Sequence, residues 1–270
     1  MNQRLIYDVG MHTGADCDFY LKKGFNVVGI EANPALVAHC EKRFASEIES
    51  GRLQIVNRAV SEAQGTIEFY IDDDNLLWGT AEPEARQRFQ EMGHALRVIE
   101  VQATTMKEIF ASFGVPYYMK IDIEGYDHLC LLGLEGISGR PRHISVEASA
   151  TSFEATQAQL ELLKSFGYTK FKRVLQNNVH KQKCPTPARE GKYVQYEFGA
   201  SCSGLFGEEL PGRWLSFDEA VRAYRIFYWK VGMIGPHTGV FRAVKSRLAG
   251  RILGRLFYPG GGWYDTHATY

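Results

Sequence analysis

Met119-Lys120-Ile121-Asp122-Ile123-Glu124-Gly125 is the stretch whose reading decides the fold. Read as a strand, it sets Met119, Ile121 and Ile123 on one face and Lys120, Asp122 and Glu124 on the other. A solvated edge strand could carry that alternation. The flanking segments instead describe a parallel sheet, whose inner strands are normally apolar on both faces. Carboxylates at the end of such a strand need a reason, and a ligand cleft supplies one.

Upstream, Leu5-Ile6-Tyr7-Asp8-Val9 reads as a strand ending at Gly10, and Thr13 offers a cap for a helix running to Lys22-Lys23 and stopped by Gly24. Asn26-Val27-Val28-Gly29-Ile30 is a second strand closed by Glu31, and Pro34 opens a helix to about residue 48. Leu53-Gln54-Ile55-Val56 is a third. This strand–helix alternation predicts right-handed βαβ units and a parallel sheet. Residues 66–71 read as a further strand added to that sheet, and the polar stretch to about residue 97 as an insertion or a helical excursion. Thr104 or Thr105 caps a helix through Phe113. After the strand at 117–123 come a helix over 127–134, a strand at 143–147, a helix over 153–166 and a segment at 170–175.

A chain of 270 residues, 45% hydrophobic and 23% charged, suits a soluble globule of one large domain or one domain with an appendage. Basic and acidic side chains both number 31, so total charge says nothing about partners. Its distribution does: residues 1–163 carry a net −10 and residues 164–270 a net +10. Either the halves attract each other, or the basic half faces an anionic substrate or membrane surface. Cys17, Cys40, Cys130, Cys184 and Cys202 show no metal-ligand spacing and read as reduced thiols. No leader pattern precedes Arg4-Leu5-Ile6-Tyr7 and no run of about 18 apolar residues could span a bilayer, so the cytoplasm is the expected compartment.

Asp8-Val9-Gly10-Met11-His12-Thr13-Gly14 joins the first strand to the first helix. A glycine there lets a ligand approach the backbone, and the helix start offers free N–H groups. Gly10 and Gly14 lack the third glycine of a dinucleotide fingerprint, and Asp8 suits a ligand with an ammonium group better than a pyrophosphate. Glu31 ends the second strand, where an acid can accept hydrogen bonds from ribose hydroxyls. Together they predict a ribose-containing cofactor, S-adenosylmethionine ahead of NAD. Folds of this kind place the first strand beside the fourth, with ligands at the carboxyl ends where the strand order reverses. Asp8 and Gly10 would then share one cleft with Asp122 and Glu124. Asp122 is the first candidate for base or acceptor anchor, followed by Glu124 and Glu147. Lys120 either holds an anionic group of the acceptor or balances Asp122. No paired-His or HxD spacing appears, so no metal is expected.

Asp8-Val9-Gly10…Gly14, Val28-Gly29-Ile30-Glu31-Ala32-Asn33-Pro34, Asn57-Arg58-Ala59-Val60-Ser61…Gly65 and Lys120-Ile121-Asp122-Ile123-Glu124-Gly125-Tyr126 together resemble the FkbM family of S-adenosylmethionine-dependent methyltransferases, over roughly residues 5–175. The resemblance implies a doubly wound, mostly parallel class I (Rossmann-like) α/β fold and O-methylation, commonly of sugar hydroxyls in polysaccharides, glycolipids or natural products. It also implies Asp8, Gly10, Gly14, Glu31, Ala59 and Asp122 as cofactor contacts. His12 stands where many members carry Asn, which leaves the backbone turn unaffected. The expected acceptor is a glycan or another small molecule with a hydroxyl or carboxylate, not a nucleic acid.

Residues 1–175 are therefore expected to form the cofactor-binding domain and 176–270 a loop and helix extension. Its part 176–213, rich in Gly, Pro, Asn and Ser, either covers the acceptor or simply connects. Residues 216–230 and 240–257 could each be helical. In the second, Phe241, Val244, Leu248, Ile252 and Leu256 recur among five basic residues with no acid. Such a face lies on an anionic membrane, packs on its own domain, or meets a second subunit. The tail from Tyr258 is aromatic and glycine-rich, and its role is open.

Overall fold

Along the chain run β1 (Asn2–Val9), α1 (Ala15–Lys22), β2 (Asn26–Glu31), α2 (Pro34–Arg43), α3 (Ala45–Glu49), β3 (Leu53–Asn57), β4 (Ala59–Val60), β5 (Gly65–Asp72), β6 (Gly79–Thr80) and β7 (Leu96–Thr104). Then follow α4 (Met106–Phe113), β8 (Pro116–Ile121), α5 (Asp127–Leu132), β9 (His143–Glu147), α6 (Phe153–Ser165), β10 (Lys170–Leu175), α7 (Phe217–Ile234) and β11 (Tyr264–Thr269). The computed structural model describes residues 2–72, 79–81, 86–87, 90, 93, 95–123, 125–149, 152–199, 201–234 and 263–270. The amphipathic stretch 240–257 lies outside them, as does Glu124.

Seven strands form the main sheet in the order β10-β11-β9-β8-β1-β2-β3. All neighbouring pairs are parallel except those of β11, which runs antiparallel to both β10 and β9. From β1 the chain winds outward through β2 and β3, then returns to place β8 on the other side of β1. The order therefore reverses between β1 and β8, which is where open α/β sheets bind ligands. This is the doubly wound, mostly parallel sheet expected from the sequence.

Both faces of the sheet are covered, as parallel strands require. Tyr7, Val9, Met119, Ile121, Ile144 and Val146 point into one apolar core with Ile109, Phe110, Leu160 and Leu163 from α4 and α6. Ile6, Val27 and Tyr118 point into the other, with Phe19 and Tyr20 from α1 and Phe206 from the later segment. Apolar burial of this kind contributes about 1.5–3 kcal/mol per large side chain, which is what holds the charged edge in place. Helix α4 starts where the sequence indicates: Thr105 Oγ1 accepts from Glu108 N while the Glu108 carboxylate accepts from Thr105 N.

Several local expectations are corrected. The strand at 117–123 ends at Ile121, so Asp122 and Ile123 belong to the turn that follows. Helix α1 is capped not by Thr13 but by Gly14 in a left-handed conformation. The helix from Pro34 breaks at Phe44 into α2 and α3. The strand at 66–71 does not join the main sheet: β5 pairs with β7 in a second sheet of order β4-β7-β5-β6. Strand β7 lies where the polar stretch meets the α4 cap, and its alternation is broken at its start, where the neighbouring Arg97 and Val98 are both exposed.

The C-terminal part contributes more than an extension. Segment 176–213 contains short 3-10 turns at Gln176–Lys181 and Gly207–Glu209 and packs on α1, where the Tyr196 hydroxyl donates to Asp18 Oδ2 at 2.8 Å. Strand β11 sits inside the main sheet, with Asp265 opposite Glu147 on β9 and Val174 on β10. Because β11 is antiparallel, its first residues lie at the carboxyl ends of its neighbours. Among the described residues no helix is long and apolar enough to cross a membrane.

Candidate active site

Three strand ends are stitched together at the reversal point. Gly10 N and Met11 N both donate to Ile30 O, at 2.9 and 3.0 Å, and Asp122 N donates to Val9 O at 3.0 Å. Gly10 has φ +81°, and a Cβ there would fall 1.8 Å from the Asp122 carbonyl oxygen. Only glycine allows both that backbone angle and that approach. His12 also lies in the left-handed region, at φ 52°, a conformation that Asn and His tolerate better than most side chains. The turn after Gly10 therefore sets the backbone angle at position 12.

Glu31 closes this turn. Its two carboxylate oxygens accept from His12 N and Asn33 N, each at 2.8 Å, while Asn57 Nδ2 donates to its carbonyl at 2.9 Å. Burial raises its pKa, and the two backbone N–H groups oppose that rise. Each oxygen keeps a lone pair for a ligand hydroxyl.

Opposite it lies a cluster built on Lys120. Register pairs Asp8 with Lys120 across β1 and β8, so both project to the face covered by α1. Lys120 Nζ lies 3.4 Å from Asp8 Oδ1, 3.4 Å from Asp122 Oδ2 and 3.9 Å from Asp16 Oδ2, and donates to Gly10 O at 3.1 Å. Burial alone would lower the lysine's pKa, but Asp122, Asp8 and Asp16 together hold it charged, well above its usual range. Asp16 is pushed up to about 6, first by burial, with Lys120 pulling the other way. It also accepts from Ser203 N through both oxygens, at 2.9 and 3.1 Å, and so pins the later segment over the strand ends. Asp127, in the first turn of α5, accepts from Ile123 N at 3.1 Å and fixes the turn that carries Asp122.

These groups surround a cleft of about 320 Å³, within the size range of small-molecule sites. Of the residues singled out in the sequence, Gly10, Glu31, Ala59, Lys120 and Asp122 line it. Asp8 is fully buried behind Lys120 and accepts from Cys17 Sγ at 3.1 Å, so the ammonium group it meets is that of Lys120. Gly14 packs against helix α2's end, where a Cβ would come within 2.4 Å of the Phe44 ring. Glu147 ends β9 across from Asp265 and is not among the described lining residues.

Sequence reading missed Asp16, Tyr126, Gln176, Cys202, Ser203, Trp263 and Asp265, all of which line the cleft. Asp16 carried a faint signal as an acid in a helix's first turn, and Trp263 and Asp265 as the start of an alternating apolar–polar run after a glycine cluster. Acidic lining groups (Asp16, Glu31, Asp122, Asp265) outnumber the cationic Lys120 and Arg58. Such a cleft favours a ligand with positive charge and hydroxyl groups. No three His, Cys, Asp or Glu side chains among the described residues are arranged to hold a metal.

The sequence pattern of the methyltransferase FkbM domain matches residues 8–173. Among solved structures, the chain is similar to the methyltransferase FkbM of Methylobacillus flagellatus KT, at 15% identity and a TM-score of 0.40, over 64% of this chain and 40% of that one. A SAM-dependent methyltransferase of Archaeoglobus fulgidus gives 10% identity and a TM-score of 0.41, over 100% of this chain and 87% of that one. The chain thus spans less than half the length of the first of these. No curated protein matches it.

Proposed function

The chain belongs to the FkbM methyltransferase family, and from that premise we propose that it transfers the methyl group of S-adenosylmethionine to an oxygen, with a sugar hydroxyl as acceptor. The observation that carries this reading is the meeting of the Gly10 turn, Glu31 and Asp122 in one acid-lined cleft at the strand-order reversal.

In this reading Glu31 accepts the ribose hydroxyls, and the close backbone approach at Gly10 receives the amino-acid end. Ala59 and Arg58 border the neighbouring wall. The bound cofactor supplies a methyl group on a positively charged sulfur, which needs no further activation. The protein's part is to place an acceptor oxygen in line with that carbon and to handle one proton. Asp122 is suited to the acceptor side: its side chain is 44% exposed, and the Lys120 ammonium at 3.4 Å orients it. A carboxylate in that position, accepting the hydroxyl's hydrogen bond, contributes about 10²–10⁴-fold when well placed. Lys120, enclosed by three carboxylates, orders the cluster.

Titration calorimetry with S-adenosylmethionine tests the cofactor assignment. Glu31→Ala should weaken binding by about 1–3 kcal/mol, the cost of hydrogen bonds to a charged group, with a thermal melt to register the loss of its bonds to His12 and Asn33. An unchanged dissociation constant would remove Glu31 from the site. For the acceptor, a labelled methyl donor and a panel of tagged oligosaccharides should give a product whose label survives alkali, as an ether does. Alkali-labile label would mean a methyl ester and a carboxylate acceptor. With that assay Asp122→Asn should slow turnover far more than it weakens cofactor binding.

A further inference from the structure

Asp265 lines the cleft but has no part in holding the ribose or the acceptor. It is the second residue of β11, and the antiparallel run of that strand delivers it to the ligand edge of the sheet, where it lines the cleft with only 8% of its surface exposed. No donor among the described residues bonds to its carboxylate. Among the described residues, the charged groups that act on it are Lys120 from β8, Asp122 and Asp127 from the turn and helix after it, and Asp16 from α1, with Glu147 across the strand pair on β9 and the uncharged Val174 opposite on β10. Four carboxyls, those of Asp8, Asp16, Asp122 and Asp265, thus depend on the single ammonium of Lys120. Asp8 and Asp122 hold it at 3.4 Å each. Among the described residues, Asp265 is left as the acid without a near cation.

We infer that Asp265 reads the charge on the ligand's sulfur: its carboxyl gives up a proton when a sulfonium occupies the cleft and keeps one when the uncharged thioether does. This rests on the cofactor reading above. Burial, then the charge of Asp122, holds the Asp265 carboxyl well above the usual carboxylate range, against the pull of Lys120, so the empty cleft favours its protonated form. A cation at ion-pair distance changes a carboxyl's proton affinity by about tenfold or more, and reciprocity puts the same factor on the protein's preference for the charged ligand.

The inference also closes the proton balance of transfer. The C–S bond breaks with its electron pair left on sulfur, which becomes neutral. A lone pair of the acceptor oxygen forms the new C–O bond, and the O–H bond breaks with its pair left on oxygen. The proton so released ends on Asp265, which regains its affinity for it as the cation disappears. The next sulfonium returns that proton to solvent.

Calorimetry in buffers of different ionisation enthalpy at pH 7 counts the protons exchanged on binding, with S-adenosylmethionine and S-adenosylhomocysteine as the two probes. On the wild-type protein the sulfonium should release about 0.5–1 proton more than the thioether, as linkage requires. Asp265→Asn should abolish that difference and narrow the affinity ratio of the two ligands about tenfold or more. Equal proton counts for the two ligands on the wild-type protein overturn the inference without any variant. So does a difference that survives in a folded Asp265→Asn, or in Asp265→Ser if the asparagine variant does not fold, and is abolished by Asp16→Asn instead. Absence of binding by either probe defeats the cofactor reading itself, a result distinct from equal proton counts.

Discussion

Lys120→Met should cost the protein about 3–5 kcal/mol of stability, the usual result of removing one partner from a buried charged cluster. Methionine replaces the apolar stem with little change in volume, so the loss isolates the ammonium group. What remains is Asp8, fully buried, and Asp16, almost so, with no cation between them. The deficit should depend on pH in a definite sense. Asp16 already has a folded-state pKa of about 6, against 3.8 for the free side chain, because burial outweighs Lys120. A carboxyl raised on folding binds more protons folded than unfolded, so its contribution falls as pH rises from the unfolded value through the folded one. Without Lys120 the folded value rises further and the window extends upward. The variant should therefore be nearest to wild type at about pH 4–5 and furthest from it above pH 7. Urea unfolding at both ends of that range measures it. A loss below about 1 kcal/mol at pH 8, the level of a surface pair, would mean that the cluster is hydrated.

Gly10→Ala should be nearly as damaging, for a steric reason. The added methyl demands a left-handed alanine, which costs about 1–2 kcal/mol, and places a carbon 1.8 Å from the Asp122 carbonyl oxygen. Neither atom belongs to a flexible side chain, so β1 and β8 must separate at the point where Asp122 N is bonded to Val9 O. Overpacking of this kind adds about 1–3 kcal/mol. The same displacement moves Asp122 and the turn that receives the cofactor. Binding should be lost at concentrations of S-adenosylmethionine that saturate the wild type, while circular dichroism still reports a folded chain. Wild-type affinity in a folded Gly10→Ala would show that no ligand depends on this junction.

Much of this was legible in the sequence because parallel strands leave a strong local trace. The apolar runs at β1, β2, β8 and β9, each followed by a helix, together with the run at β3, defined the winding, and the winding alone brings Gly10 beside Asp122. A cap at Thr104 or Thr105 marked α4, and the structure places it at Thr105. The misses have physical causes. Whether a strand joins one sheet or another depends on partners distant in sequence, so β5 could not be assigned to the second sheet from its own residues. Strand β11 is antiparallel and inserted between two strands that precede it by many residues, so nothing local announces that Trp263 and Asp265 reach the cleft. Asp8 shows a third kind of limit. Its place at a strand end was clear, but that Lys120 answers it, at 3.4 Å, follows from cross-strand register, which the sequence does not print.

The central claim is that one ligand spans the ends of β2, β1 and β8. A crystal structure of the protein with S-adenosylhomocysteine tests it most directly. The ribose hydroxyls should lie within hydrogen-bond distance of the Glu31 carboxylate, the amino-acid end against the backbone at Gly10, and the sulfur facing Asp122 and Asp265. Ligand density away from the β1–β8 junction, or a ribose that leaves Glu31 bonded only to His12 and Asn33, would contradict it.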